Sequence, residues 1–314
     1  MIEFFKKKMK RSKWGIAAYL VARNLKNRLK YTSGNLEDEY GATHQKLTNE
    51  ESVHYIEEVF KDYLQYAKLN PPDLIDKEVL EIGYGDNLGV ALKFLASGVK
   101  RMVCLDKYHS VRDSFKEKNI YQILRESLSE DETNRFDKVL RLKVESFELD
   151  PHFLKVEHGL SIENRKELKA LGRFDFILSR AVLEHIFDLD LAFDSMNDLL
   201  KAGGLLIHKI DFRDHGLFTG CGHHPLTFLT FPEVIYRLMT KHSGGPNRKF
   251  LSYYRKKMER LGYHCEIVVT QTLGESAKSL LNEIRRRLCT QFQELSDDEL
   301  SINGIFLIAR KSNA

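Results

Sequence analysis

"VLEIGYGDNLG", residues 79–89, is the stretch whose reading decides the fold. An apolar run reaches an acid, Glu81, and glycines follow at Gly83, Gly85 and Gly89. Glycine accepts φ > 0 and lets a ligand lie against bare backbone. A short apolar strand that enters a Gly-rich turn and then a helix therefore outlines a nucleotide-binding loop. Such a turn sits at the carboxyl end of a strand, where open α/β sheets bind ligands. The spacing is GxGxxxG, one residue longer than the GxGxxG of the dinucleotide fold.

Outward from this loop the chain alternates strands and helices. "MVCLD" (102–106), "VLRLKV" (139–144), "FDFILS" (174–179) and "LLIHKID" (205–211) read as strands two to five. Helices are expected over 87–98, 110–129 and 189–201, the last stopped by Gly203 and Gly204. The stretch 149–172 reads as a charged insertion with a helix. Two helical stretches (232–242 and 249–261), a strand (265–270), a helix (275–294) and a last strand (304–311) complete the pattern. Interleaving of this kind predicts a doubly wound, seven-stranded, mostly parallel α/β sheet. The expected organisation is a basic N-terminal helix with a linker or lid over 1–48, then one domain over 49–314. A helical insertion at about 212–262 lies between strands five and six.

The charge is unevenly spread. The net charge is +4, yet residues 1–30 hold ten Lys or Arg against the single acid Glu3. That arm alone carries +9, so the rest is near −5 and mildly acidic. Four cysteines without CxxC pairing argue against a disulfide framework or a zinc ribbon, and make a reducing cytoplasm the default. No apolar run reaches the roughly 20 residues that span a bilayer. The charges resume at Arg23 and no A-x-A-like site follows, so a cleaved signal is not expected. In the expected helix 3–31, Trp14, Ala18, Val21, Leu25 and Leu29 form one apolar stripe. Two readings fit: a helix lying on an anionic membrane surface, peripheral at the inner membrane, or a helix packed on the domain.

Asp106 ends the second strand, where a carboxylate can accept both hydroxyl hydrogens of a ribose. These features alone fit NAD as well as another adenosine ligand. The wider turn, and Glu81 beside it, favour a cationic or amine-bearing ligand without a pyrophosphate.

"VLEIGYGDNLG", "VCLD", "FDFILSRAVLEHI" and "LLKAGGLLIHKID" resemble, in order, the successive motifs of class I S-adenosylmethionine (SAM)-dependent methyltransferases, over roughly 75–212. The resemblance implies that Gly83, Gly85 and Gly89 line the methionine and ribose region of SAM, with Glu81 shaping that pocket and Asp106 on the ribose hydroxyls. It implies adenine contacts just after the third strand, at Glu145, Ser146 and Phe147, and puts Ser179 and Arg180 at the methionine end. The alternatives are an NAD(P)-dependent oxidoreductase and a SAM-dependent RNA methyltransferase or nucleic-acid-binding protein that uses the basic arm. The acidic body opposes the last of these.

For the acceptor, "HKIDFRDHG" (208–216) opens beside the donor loop. His215 is the expected general base, with Asp211, and His185 in "LEHI" is a further candidate. Asp211, Asp214, His215 and "CGHHP" (221–225) gather metal-binding side chains, but their spacing matches no metal motif, so no metal is assigned. Aromatic and basic residues in "PNRKF" and "SYYRK" suit a sugar or other small acceptor. The combination "DFRDHG", "PNRKF" and "GY" is loosely similar to methyltransferases encoded with bacterial surface-polysaccharide genes. It points to a glycan acceptor.

Overall fold

Successive buried side chains of the strands point to opposite faces of the sheet and so divide the core into two layers. In strand β1 (Glu78–Ile82), Leu80 and Ile82 join one apolar layer and Val79 the other. The computed structural model describes residues 12–32, 37–38 and 43–312. Strands β2 (Arg101–Asp106), β3 (Leu154–His158), β4 (Phe174–Arg180), β5 (Leu200–Asp211), β6 (His264–Thr272) and β7 (Ile302–Arg310) complete one sheet. Its order is β3-β2-β1-β4-β5-β7-β6, and β7 runs antiparallel to both its neighbours. This is the seven-stranded, mostly parallel arrangement expected from the sequence. The order reverses between β1 and β4, which opens a crevice at their carboxyl ends.

One layer packs helices α2 (Asn49–Ala67), α3 (Gly89–Ala96), α4 (Ser114–Glu126) and α5 (Glu130–Val139) on the sheet. The other carries α6 (Leu189–Leu199), α7 (Glu233–Thr240) and α8 (Leu251–Arg260). Helix α2 starts at a capping box: the Glu51 amide donates to Thr48 Oγ1 at 3.1 Å, and the Thr48 amide donates to Glu51 Oε2 at 2.7 Å.

Several boundaries differ from the sequence expectation. The third strand is Leu154–His158, within the stretch read as a charged insertion; 140–142 instead pairs antiparallel with 147–149 in a small hairpin. β3 is an edge strand with one neighbour, so its polar residues face solvent and its apolar signal is weak. Gly203 and Gly204 do not stop α6, which ends at Leu199. They lie inside β5, where Phe174 pairs with Leu200 but Phe176 with Leu205. The residues between them bulge, and Gly203 takes φ +71° there. The helix expected over 275–294 is broken into Glu275–Lys278, Leu281–Arg285 and Thr290–Gln293. The Cys289 amide donates to the Leu229 carbonyl, which ties the chain across and interrupts helical pairing.

Helix α1 (Lys13–Thr32) packs on α7 and the loop behind it. Its buried face is Ile16, Ala17, Leu20 and Asn24, and Asn24 Oδ1 accepts from the His242 amide at 2.5 Å. The expected stripe is therefore not the packed one: Trp14, Leu25 and Leu29 are 54%, 55% and 65% exposed. Residues 3–11 of the expected helix, and 33–36 and 39–42 of the expected lid, lie outside the described residues. No helix among the described residues is long and apolar enough to cross a membrane.

Candidate active site

A cavity of about 410 Å³ opens at the carboxyl ends of β1, β2 and β4, within the size range of small-molecule sites. Its floor is the loop after β1. Gly83 and Gly85 take φ of +73° and +70°. The Gly83 amide donates to the Leu105 carbonyl at 2.8 Å, which pins the loop to the end of β2. A Cβ on Gly83 would stand 2.3 Å from Val182 Cγ2, so both the conformation and the space require glycine. Gly89 serves differently. It opens α3 and touches α2, where a Cβ would meet Ile56 Cδ1 at 2.1 Å, and it is not part of the cavity wall.

Glu81 lines the cavity yet is only 7% exposed. Burial pushes its carboxyl up to about 7, partly offset by Cys104 Sγ, which donates to Oε2 at 3.7 Å. Asp106 lies at the wall, and its Oδ1 accepts from the Tyr108 amide at 3.0 Å. Arg180 lines the cavity and pairs with Asp62 of α2 at 2.7 Å. Ser179 does not line the cavity. It is fully buried, and its Oγ hydrogen-bonds His208 Nδ1 at 2.8 Å on β5.

Glu145 and Ser146 are exposed at the tip of the 140–149 hairpin, and Phe147 lies in its second arm; none of the three reaches the cavity. That placement follows from the correction of β3. The residues just after the true third strand, Leu160 to Glu163, are in the cavity wall instead.

Other wall residues were not singled out by the sequence. Asp86 is buried and accepts from the amides of His44 (3.3 Å) and Gln45 (3.0 Å), strapping the segment before α2 over the loop. Tyr84 Oη hydrogen-bonds His158 Nδ1 at 2.7 Å. Asp86 and Tyr84 lie inside the glycine motif as its variable positions, which is why their spacing carried no signal.

The acceptor-side candidates converge in part. His185, in a short turn after β4, lines the cavity, and its ring lies 4.8 Å from that of His215. Burial, aided by the neighbouring His215, pushes His185 down to about 4, and burial lowers His215 as well. Both imidazoles are thus neutral near pH 7. His215 stands at φ +50° in a loop organised by Asp214, whose carboxylate accepts from the amides of Gly216, Phe218 and Thr219 and from Thr219 Oγ1. Asp211 pairs with Arg213, and its carboxyl is held below the usual range chiefly by that side chain, against the opposing effect of burial. Its position on the sequence suggested a partner for His215; its salt bridge makes it a weak base. Glu184, missed in the sequence although adjacent to His185, accepts from the Asp211 amide at 3.3 Å and is 1% exposed. The "CGHHP" side chains do not join this cluster: His224 is spent on the Leu226 amide and the Ala277 carbonyl.

A second cavity of about 420 Å³ adjoins the first through Phe187, which lines both. Arg237, Lys249, Phe250 and Tyr253 contribute to its wall, so the aromatic and basic segments of 212–262 do gather around a pocket.

A model of the family described as "Methyltransferase domain" matches residues 52–263. No curated relative matches the chain. Among solved structures, phosphoethanolamine N-methyltransferase 2 of Haemonchus contortus is 14% identical with a TM-score of 0.42; the match covers 81% of this chain and 52% of that one. The YcgJ protein of Bacillus subtilis is 12% identical, with a TM-score of 0.41 and coverage of 83% and 99%. Magnesium protoporphyrin IX methyltransferase of Synechocystis is 12% identical, with a TM-score of 0.42 and coverage of 83% for both chains. The chain thus spans about half the length of the first of these and most or nearly all of the other two. The match of the family model to about two thirds of the sequence makes the chain a member of the methyltransferase domain family.

Proposed function

We propose that this enzyme transfers the methyl group of SAM to a hydroxyl of a small, sugar-containing acceptor. The observation that carries the reading is the His215 ring, 4.8 Å from that of His185 in the cavity wall. The cavity residues suit the donor. The positive-φ glycines 83 and 85 offer bare backbone, Asp106 stands where ribose hydroxyls need an acceptor, and Glu81 is a carboxylate for a cationic ligand. Bound SAM supplies an activated methyl on a sulfonium, so the protein's task is to orient the two partners and exclude water. A hydroxyl acceptor must also lose its proton. The neutral His215 imidazole takes that proton, and Asp211, already paired with Arg213, keeps the loop in place rather than acting as base.

The second cavity supports a sugar-containing acceptor. Tyr253 and Phe187 provide flat apolar faces, while Arg237 and Lys249 suit an anionic substituent. His215→Ala is expected to lower methyl transfer from labelled SAM by about 10²- to 10⁴-fold, with SAM affinity unchanged. Equal turnover by the variant, on an acceptor found by labelling cell-extract fractions and analysing the product by mass spectrometry, refutes this role.

For α1 we propose contact with an anionic membrane surface. Residues 13–32 hold five basic side chains and no acid; Leu25 and Leu29 are exposed, and Trp14 is 54% exposed although its ring meets Phe231 edge-on. Trp14 is the only tryptophan, so its emission is a direct probe. A blue shift with anionic but not neutral vesicles, lost in Leu25→Glu/Leu29→Glu, is expected; no shift with either vesicle overturns it.

A further inference from the structure

We propose that Glu184, His185 and His215 form a site for one divalent transition-metal ion at the acceptor end of the cavity. This deepens the acceptor-side reading above and rests on it. One ligand atom from each residue lies within 4.8 Å of the other two. Around a single ion with bonds of about 2.0–2.2 Å, such atoms are a little closer than this, so side-chain adjustments of about 1 Å close the site.

Two buried polar atoms of these residues lack a partner. Glu184 Oε2 is buried and has no partner, and the same is true of His185 Nδ1. A buried carboxylate oxygen left unpaired is costly, and a bound cation removes that cost.

The turn itself is clamped. Asn247 Nδ2 donates to the carbonyls of Leu183 (2.8 Å) and Ile186 (2.6 Å), and the Asn247 amide donates to the Glu184 carbonyl. His215 approaches from the loop after β5, held at its αL conformation by the Asp214 bonds. Two ligands are thus preset on a rigid turn and the third is on an outer loop. Arg213 is the nearby opposing charge, and Asp211 neutralises it.

Two imidazoles and one carboxylate favour Zn²⁺, Mn²⁺ or Fe²⁺ over Mg²⁺ and Ca²⁺, which prefer all-oxygen sets. Three protein ligands leave a coordination position open toward the cavity that His185 lines. An acceptor hydroxyl oxygen bound there would lose its proton more readily to water, so that with the ion bound His215 would serve as a ligand in place of its role as base.

The test uses the full chain freed of metal by chelator and titrated with Zn²⁺, and with Co²⁺ as a spectroscopic probe. One equivalent is expected to bind, with Co²⁺ d–d bands that report nitrogen and oxygen ligation. Glu184→Gln, His185→Ala and His215→Ala should each weaken binding at least tenfold, while His224→Ala leaves it unchanged. SAM binding measured on every variant shows that it is folded, and the exposed His215 provides a test if a buried variant is not. Absence of stoichiometric binding to the wild type, or equal binding by all three variants, overturns the metal site. If that occurs while His215→Ala still abolishes turnover, the general-base reading stands alone. If the metal binds and His215→Ala leaves turnover intact, the metal site stands and the acceptor-side role of His215 falls.

Discussion

Glu81 ties proton binding to ligand binding. In the folded protein its carboxyl keeps a proton up to about pH 7, whereas in the unfolded chain it loses it near 4.5. Between these values the native state binds more protons, so this group's contribution to stability falls as pH rises from about 4.5 to 7. The full difference amounts to about 3 kcal/mol. A cationic ligand next to Glu81 favours the ionised form and reverses that burden. SAM affinity is therefore expected to rise with pH up to about 7 and then level off, with proton release below 7. Calorimetry in buffers of different ionisation enthalpy measures this, and Glu81→Gln should flatten the profile. At Gly83, an Ala side chain meets both a left-handed backbone and Val182 at 2.3 Å. Gly83→Ala is expected to weaken SAM binding at least tenfold and to cost about 1–3 kcal/mol of stability, read by titration and denaturant unfolding.

At the scale of elements, loops are positioned by single buried carboxylates. Asp86 straps residues 44–45 across the glycine turn, and Asp214 closes the turn that presents His215. Removing Asp214 leaves three amides and a hydroxyl without their acceptor. Asp214→Ala is expected to cost about 2–3 kcal/mol in denaturant unfolding and to lower turnover with SAM affinity nearly unchanged. Asp86→Ala should do the opposite, raising the SAM dissociation constant while leaving the acceptor loop intact. The pair of variants therefore separates donor-side from acceptor-side elements in one set of binding and rate measurements.

At the scale of the whole molecule, α1 joins the main core through one face and leaves another open. Ile16, Ala17 and Leu20 belong to the same apolar layer as the strands, whereas Leu29 is 65% exposed. Leu20→Ala is expected to cost about 2–5 kcal/mol, and Leu29→Ala less than about 0.5 kcal/mol. Thermal unfolding of the two variants checks this contrast. Tyr31, near the end of α1, lines the donor cavity, so the helix links the packed domain, the outer surface and the cavity mouth.

The loop and acid that line the cavity were legible because their signals are local. "VLEIGYGDNLG" and "VCLD" each contain, within a few residues, the strand, the turn and the acid that the cavity uses. The doubly wound, mostly parallel sheet followed from the alternation of strands and helices, since parallel strands buried on both faces read as apolar runs. Legibility failed where a long-range partner decides the outcome. β3 is an edge strand whose polar residues are tolerated because only one neighbour covers it, and the more apolar 139–144 carries the stronger strand signal; Glu145, Ser146 and Phe147 follow that segment and so stand away from the cavity. The face of α1 that packs was chosen by α7, not by the strongest stripe. Glu184, His185 and His215 lie 30 residues apart in the chain, on the connections after two adjacent parallel strands. No spacing rule relates them, because their meeting depends on the pairing of β4 with β5 and on the loop that Asp214 closes. Sequence determined the alternation of strands and helices and the glycine loop; only the packed sheet decided the edge strand and which side chains face one another across its carboxyl edge.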